Sequence, residues 1–178
     1  MKNLKVKTLV FFLFLAATAI LINIDRFSKI FESTNNTAFI ASLANLKQLD
    51  SSQIQFVLNP ESKNYIILHY WASWCSPCQT EMPKLFAAHK KLTEKFRIIL
   101  ISEDEDPSTG LLFLNDVGPI PSTDITFWDS DKNLSKSMGV FKLPETFIYN
   151  SKLELVRKIA GAMDWDDPKN LKYLNSLP

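Results

Sequence analysis

The chain has 178 residues, 46% of them hydrophobic and 22% charged, with a formal net charge of +1. That length holds one domain with appendages and a proper core. The near-neutral balance implies neither nucleic acid nor an acidic surface as a partner. Two cysteines are too few for a stapled disulfide framework, so a closely spaced pair reads as catalytic or metal-binding.

Lys2, Lys5 and Lys7 precede Thr8–Ile24, a run of 17 residues without a charge. As a helix it would span roughly 25 Å, slightly short of a bilayer core of about 30 Å. Basic residues ahead of such a run keep that end in the cytoplasm. Residues 1–24 are therefore expected to be a signal anchor, with a cytoplasmic end at 1–7 and an apolar span at 8–24. It would cross the inner (cytoplasmic) membrane once and leave the rest facing the periplasm or the outside. Ala17-Thr18-Ala19 resembles a signal-peptidase site, and cleavage after Ala19 is the alternative, which would secrete the protein to the periplasm. Cleavage there would expose Ile20-Leu21-Ile22-Asn23-Ile24 at the new terminus, which argues for the anchor. Without its three lysines, the exported part carries a net charge of −2.

Residues 25–37 read as a polar Ser/Asn-rich linker, and 38–178 as the folded domain. Phe39–Leu58 has scattered apolar positions that fit either a strand or a short helix, and Asn59-Pro60 ends it. Tyr65–Trp71 is an aromatic and β-branched run without a breaker, the pattern of a buried strand.

Trp74-Cys75-Ser76-Pro77-Cys78 follows, and from Pro77 onward the period changes. Met82, Leu85, Phe86, His89, Leu92 and Phe96 fall on one helical face, with Lys84, Lys90, Lys91 and Glu94 on the other. A strand thus delivers Cys75 to the mouth of a helix, where unpaired N–H groups and the positive end of the dipole favour an anion. A thiolate is that anion, and only the thiolate is nucleophilic. Cys78, one turn later, can attack the sulfur that Cys75 has captured. Pro77 sits in the first turn, where its missing N–H costs nothing. Structural zinc is the rival reading, but it needs four ligands and only His69 and His89 are available to join the cysteines. A strand position and a position about three turns along the helix do not close such a site, so no metal is expected.

Arg97–Ile101 reads as a second buried strand, joined to the first by a parallel crossover. Glu103-Asp104-Glu105-Asp106 reads as a solvated loop capping the next helix rather than a cation site. Leu111–Val117 is expected to be helical and Gly118-Pro119-Ile120-Pro121 to break it. Ile125–Trp128 reads as a third strand and Asp131–Met138 as a short helix. Thr146–Tyr149 and Leu153–Ile159 form a hairpin about Asn150-Ser151. Asp167 caps a final helix opened by Pro168, with Leu171, Leu174 and Leu177 inward.

Two motifs carry a resemblance: Trp71-Ala72-Ser73-Trp74-Cys75-Ser76-Pro77-Cys78 with Glu81 and Pro83, and Met138-Gly139-Val140 leading into Pro144-Glu145-Thr146-Phe147-Ile148. Over about residues 60–178 the chain resembles thioredoxin-fold thiol:disulfide oxidoreductases, and more narrowly their extracytoplasmic TlpA/ResA/CcmG (DsbE)-like branch. The resemblance implies an α/β fold with a central mixed sheet and helices on both faces, preceded here by the N-terminal transmembrane or signal helix. It implies that Pro144 is a cis-proline packed against the cysteine pair, where the bland alternative is a trans proline opening a strand. It further implies that the backbone of Leu143 pairs with the substrate chain like an added strand, with Trp74 and Pro77 also at the binding surface. Pro144-Glu145-Thr146 leans toward the cytochrome c maturation subgroup. Glu81 is the acid that ResA-like members place beside the disulfide, and Glu145 is expected to act with it. A carboxylate there disfavours the thiolate and can relay its proton. Glu81 also has a plainer reading, that of a first-turn acid favoured by the helix dipole.

The sequence departs from the family pattern at three places. His69 stands six residues before Cys75, where an acid or Asn is usual, and reads as a satisfied core histidine or as one titrating near neutrality. Leu143 is bulkier than usual, and Tyr149-Asn150-Ser151-Lys152 replaces an Asp/Gly-rich turn. His89 reads as structural. The function implied is thiol–disulfide exchange, with Cys75 the nucleophile and Cys78 resolving. No cofactor beyond the Cys75–Cys78 disulfide is expected. The partners implied are exported protein thiols or disulfides, apocytochrome c among them, and a membrane-embedded electron donor. The alternatives are a thioredoxin-fold peroxidase, whose usual later Pro-x-x-x-(Thr/Ser)-x-x-Cys motif is absent, and a non-catalytic binding module with a structural disulfide.

Overall fold

A computed structural model describes residues 18, 20–24, 47–48, 65–92, 95–119, 125–129 and 131–177. The chain divides into two units, Met1–Ile40 and Ala41–Pro178. In the first, residues 20–24 are helical with exposed side chains. Among the described residues no helix is long and apolar enough to cross a membrane. Most of the expected span 8–24 and all of the linker 25–37 lie outside them.

The second unit is built on a six-stranded sheet. Its strands are β1 (Lys47–Gln48), β2 (Tyr65–Trp71), β3 (Phe96–Ser102), β4 (Ile125–Trp128), β5 (Glu145–Tyr149) and β6 (Leu155–Ala160). The order is β1-β4-β3-β2-β5-β6. β2, β3 and β4 run parallel, while β1, β5 and β6 pair antiparallel to their neighbours. The sheet is therefore mixed, as expected. Successive side chains of a strand point to opposite faces. All seven residues of β2 are buried, so both faces of the sheet are covered at its centre.

Among the described residues of this unit four helices accompany the strands: α1 (Ser76–Leu92), α2 (Pro107–Val117), α3 (Asn133–Ser137) and α4 (Pro168–Ser176). α1 packs Met82, Leu85, Phe86, Ala88 and Leu92 into the core with Tyr65, Ile67 and Trp71 of β2 and Phe96, Ile98 and Leu100 of β3. Fully burying each large side chain contributes about 1.5–3 kcal/mol, so this contact fixes α1 on the sheet. Leu174 of α4 is fully buried in the same cluster, with Leu171 and Leu177 half-buried beside it. Asp167 and Pro168 begin α4 as the sequence indicates, the Asp167 carboxylate accepting from the Lys169 N–H at 2.7 Å.

Three expectations need correction. Phe96 is not on the helix. α1 ends at Leu92, and Phe96 opens β3, where the carbonyl of Phe96 accepts from His89 Nε2 at 2.9 Å. The second hairpin strand begins at Leu155, because Leu153 takes a left-handed backbone (φ 62°) inside the turn. There the Asn150 side chain accepts from the N–H groups of Lys152 and Glu154, both at 3.0 Å. The acidic run after β3 is the third case. Asp106 does cap α2, accepting from the Ser108 N–H at 2.9 Å, but Glu103 and Asp104 are buried.

Candidate active site

β2 ends at Trp71, and a short turn delivers Cys75 to the position just before α1. The Cys75 N–H donates to the Ala72 carbonyl (3.2 Å), and the Cys75 carbonyl accepts from the Gln79 N–H (3.1 Å), which closes the first helical turn. The Cys78 N–H points at Cys75 Sγ across 3.3 Å. The two cysteines form a disulfide with their Cα atoms 5.2 Å apart. Cys75 keeps 6% of its surface exposed and Cys78 none. The helix therefore supplies an N–H to the outer sulfur while enclosing the inner one.

Asp104 holds the turn that presents Cys75. Its carboxylate accepts from the Ser73 N–H (3.0 and 3.1 Å), the Ser73 hydroxyl (2.7 Å) and the Ser102 hydroxyl (2.8 Å). The Trp128 indole N–H donates to its backbone carbonyl. A buried carboxylate is retained where several donors meet it. Gly110 of α2 makes room for it: a Cβ there would stand 2.9 Å from Asp104 Oδ2. Sequence reading missed Asp104 because its donors come from positions before and after it in the chain. The only local signal was Ser102, two residues earlier.

Glu81 lies on α1 one turn past Cys78 and is buried. Its Oε1 accepts from the Met163 N–H (3.1 Å) and the Trp165 indole N–H (2.5 Å), while Oε2 is buried without a hydrogen-bond partner. Burial pushes its carboxyl above the usual range, against the pull of those two hydrogen bonds. Glu145, at the start of β5, is also buried. It accepts from the Phe141 N–H at 2.9 Å and pairs with Lys158 Nζ at 3.0 Å. The two acids thus differ in kind: one is held by neutral donors, the other by an ammonium group.

A cavity of about 540 Å³ opens beside Cys75, bounded among others by Trp74, Pro77, Phe141, Leu143 and Glu103. Neither Glu81 nor Glu145 lines it. Glu103 does, although the acidic run it belongs to reads as a solvated loop. Burial pushes its carboxyl up, opposed by a hydrogen bond from Ser135 and the charge of Lys132. Trp74 and Phe141 are 61% and 88% exposed, a large apolar display next to a sulfur. The Leu143–Pro144 peptide is cis, Leu143 is half-buried at the cavity wall, and the buried Pro144 offers its carbonyl to the Gly161 N–H at 2.9 Å.

His69 is wholly buried in β2, opposite Thr146 of β5. Its Nδ1 lies 2.9 Å from Thr146 Oγ1, and burial pushes the imidazole pKa down to about 3. A neutral core histidine fits this position, and titration near neutrality does not.

A family profile described as thioredoxin-like matches residues 63–155, a stretch that holds both the cysteine pair and the cis-proline. The thiol:disulfide interchange protein DsbE of Pseudomonas fluorescens is 33% identical over 111 residues, covering 60% of this chain and 59% of its own length. The thiol-disulfide oxidoreductase ResA of Bacillus thuringiensis is 30% identical over 97 residues, 54% of each chain. The match thus spans little more than half of either relative. Among solved structures, a secreted Mycobacterium tuberculosis disulfide oxidoreductase aligns with a TM-score of 0.61 at 16% identity, covering 74% of this chain and 94% of that one. A matched profile over half the chain, a mixed sheet of this order and a cysteine pair at the mouth of α1 agree: the chain belongs to the thioredoxin-like family.

Proposed function

We propose that this protein is a thiol:disulfide oxidoreductase in which Cys75 exchanges with cysteines of other exported polypeptides. The observation that carries the reading is the asymmetry of the pair. Cys75 borders an open cavity and faces the Cys78 N–H at 3.3 Å, while Cys78 is sealed. In the reductive direction the Cys75 thiolate attacks a substrate disulfide. A Cys75–substrate bond forms, and the other substrate sulfur leaves as a thiolate that takes up a proton. Cys78, deprotonated, then attacks Cys75 Sγ and releases the second substrate sulfur. The substrate gains two electrons and two protons, and the protein is left with the disulfide found here. No cofactor beyond the cysteine pair enters this scheme.

The finer reading places the domain, residues 38–178, outside the cytoplasm, tethered through residues 1–24 and the 25–37 linker. There it reduces exported cysteines such as those of an apocytochrome c and is recharged by a membrane-embedded electron donor. Lys2, Lys5 and Lys7 before an uncharged run support the topology, and Pro144-Glu145-Thr146 supports the substrate. Leu143, which shares the cavity wall with Cys75 and precedes the cis-Pro144, supports strand-like pairing with the substrate backbone.

Mixed-disulfide trapping tests the exchange. Cys78→Ala should accumulate covalent adducts through Cys75, and Cys75→Ala should accumulate none. Adducts formed by the second variant alone would overturn the assignment. Fractionation tests the topology: the domain should remain with the membrane, whereas a soluble form beginning at Ile20 would show cleavage after Ala19.

A further inference from the structure

Lys132, Lys136 and Lys142 also line the cavity beside Cys75. They reach it from different places: Lys132 caps α3, Lys136 lies within α3, and Lys142 precedes the cis peptide. Two lysines elsewhere on the domain are neutralised, Lys84 by Asp164 at 3.1 Å and Lys158 by Glu145 at 3.0 Å. Among the described residues none of the three cavity lysines has such a partner. Lys132 lies over the Trp74 ring at 5.8 Å, and Lys136 reaches only the Asp131 carbonyl at 3.5 Å. Among the described residues the one acid in the cavity wall is Glu103, which is buried and feels the charge of Lys132, so Lys136 and Lys142 are the two lysines there with no acid acting on them.

A chain whose exported part is net negative therefore concentrates unpaired positive charge around its reactive sulfur, framed by two exposed aromatic rings. The net charge of the whole chain conceals this, since it averages over surfaces that a substrate never meets. We propose that this cavity selects substrate segments in which the attacked cysteine is flanked by carboxylates and an apolar side chain. The carboxylates would meet Lys136 and Lys142 at the exposed rim. The apolar neighbour would lie against Trp74 and Phe141, with Lys132 extending the same surface through its contact with Trp74. Clustered charge of one sign raises the encounter rate of an oppositely charged partner, and salt weakens it. Aromatic rings contribute apolar contact area.

The inference rests on the exchange reading, so its test carries an arm for each. Two disulfide-bridged peptides of equal length share an apolar residue beside the cysteine. One has Asp on either side of that position, the other Lys. The full chain in detergent is reduced and mixed with each peptide and, separately, with insulin. At low salt kcat/KM should favour the acidic peptide by about tenfold, the scale of two or three exposed ion pairs. The ratio should shrink several-fold at 0.5 M salt, where the Debye length falls to roughly 4 Å. In the Lys136→Glu/Lys142→Glu double variant it should fall to near one or invert. Insulin reduction with equal peptide rates, or with the basic peptide preferred, overturns the selectivity and leaves exchange standing. An acidic preference that neither salt nor the double variant moves also overturns it. Failure to reduce insulin and both peptides overturns the exchange reading itself.

Discussion

The two sides of the cysteine pair are built on opposite plans. Behind it, polar groups are buried and engaged: Asp104 gathers donors from Ser73 and Ser102, His69 meets Thr146, and Glu81 meets Met163 and Trp165. In front of it, apolar rings are exposed, three lysines stand with no carboxylate within ion-pair distance among the described residues, and the wall ends at a half-buried Leu143. In the exchange site proposed above, one sulfur is held still and offered to a substrate chain. The rear supplies the rigidity and the front supplies exposed apolar and cationic surface. Perturbing the rear should therefore alter stability and pH response, while perturbing the front should alter which substrates react.

The largest effect expected from the rear is acid lability through His69. Its folded pKa, about 3, lies below the ordinary value of 6.5. The unfolded chain therefore takes up the proton first as pH falls. Stability should drop by about 1.4 kcal/mol per pH unit between those two values. Urea titrations at pH 7 and 4.5 should show a loss from this residue of about 3 kcal/mol, and His69→Asn should remove that portion. Equal losses in both proteins would mean the imidazole is not shielded as the geometry indicates.

Asp104→Ala should come next, at about 1–3 kcal/mol, because it leaves the Ser73 and Ser102 donors without their acceptor. Its diagnostic is local. Hydrogen exchange at the Ser73 and Cys75 amides should speed up more than exchange in β6, and uniform acceleration would make Asp104 a general core residue rather than the holder of the Cys75 turn. Gly110→Ala should reproduce part of this through Asp104 Oδ2.

A smaller effect is expected at Glu81. Its carboxyl is raised, so its ionisation opposes folding, and the stability tied to the neutral form is lost as pH rises through its folded value. Glu81→Gln should flatten that loss. It should also lower the Cys75 pKa by up to about one unit by removing a nearby negative charge. Glu145→Gln should shift Cys75 least, since Lys158 already balances its charge at 3.0 Å. Thiolate absorbance against pH ranks the two, and a larger shift from Glu145→Gln would reverse their assigned roles.

Much of this was legible because local pattern and local structure coincide. Tyr65–Trp71 and Ile125–Trp128 are strands with the expected bounds, and Cys75 does stand before a helix. What escaped is non-local. Phe96 continued the helical spacing of Met82, Leu85, Phe86, His89 and Leu92, but the chain turns after Leu92 and spends Phe96 on β3. Glu103 and Asp104 looked solvated because acidic runs usually are, yet their burial is decided by residues of the Cys75 turn and α3. The lysines meet at the cavity although they are spread over eleven positions of sequence, each ordinary in its own stretch. Spacing can reveal a motif, but not the surface that the rest of the chain folds around it.

The unequal access of the two sulfurs is tested most directly by limiting alkylation of the freshly reduced protein, with the modified cysteine mapped by mass spectrometry. Cys75 should carry nearly all of the first equivalent across the neutral range, with Cys78 labelled only after unfolding. Cys78 labelled first, or both at equal rates in the folded protein, would contradict a site whose front is open and whose rear is closed.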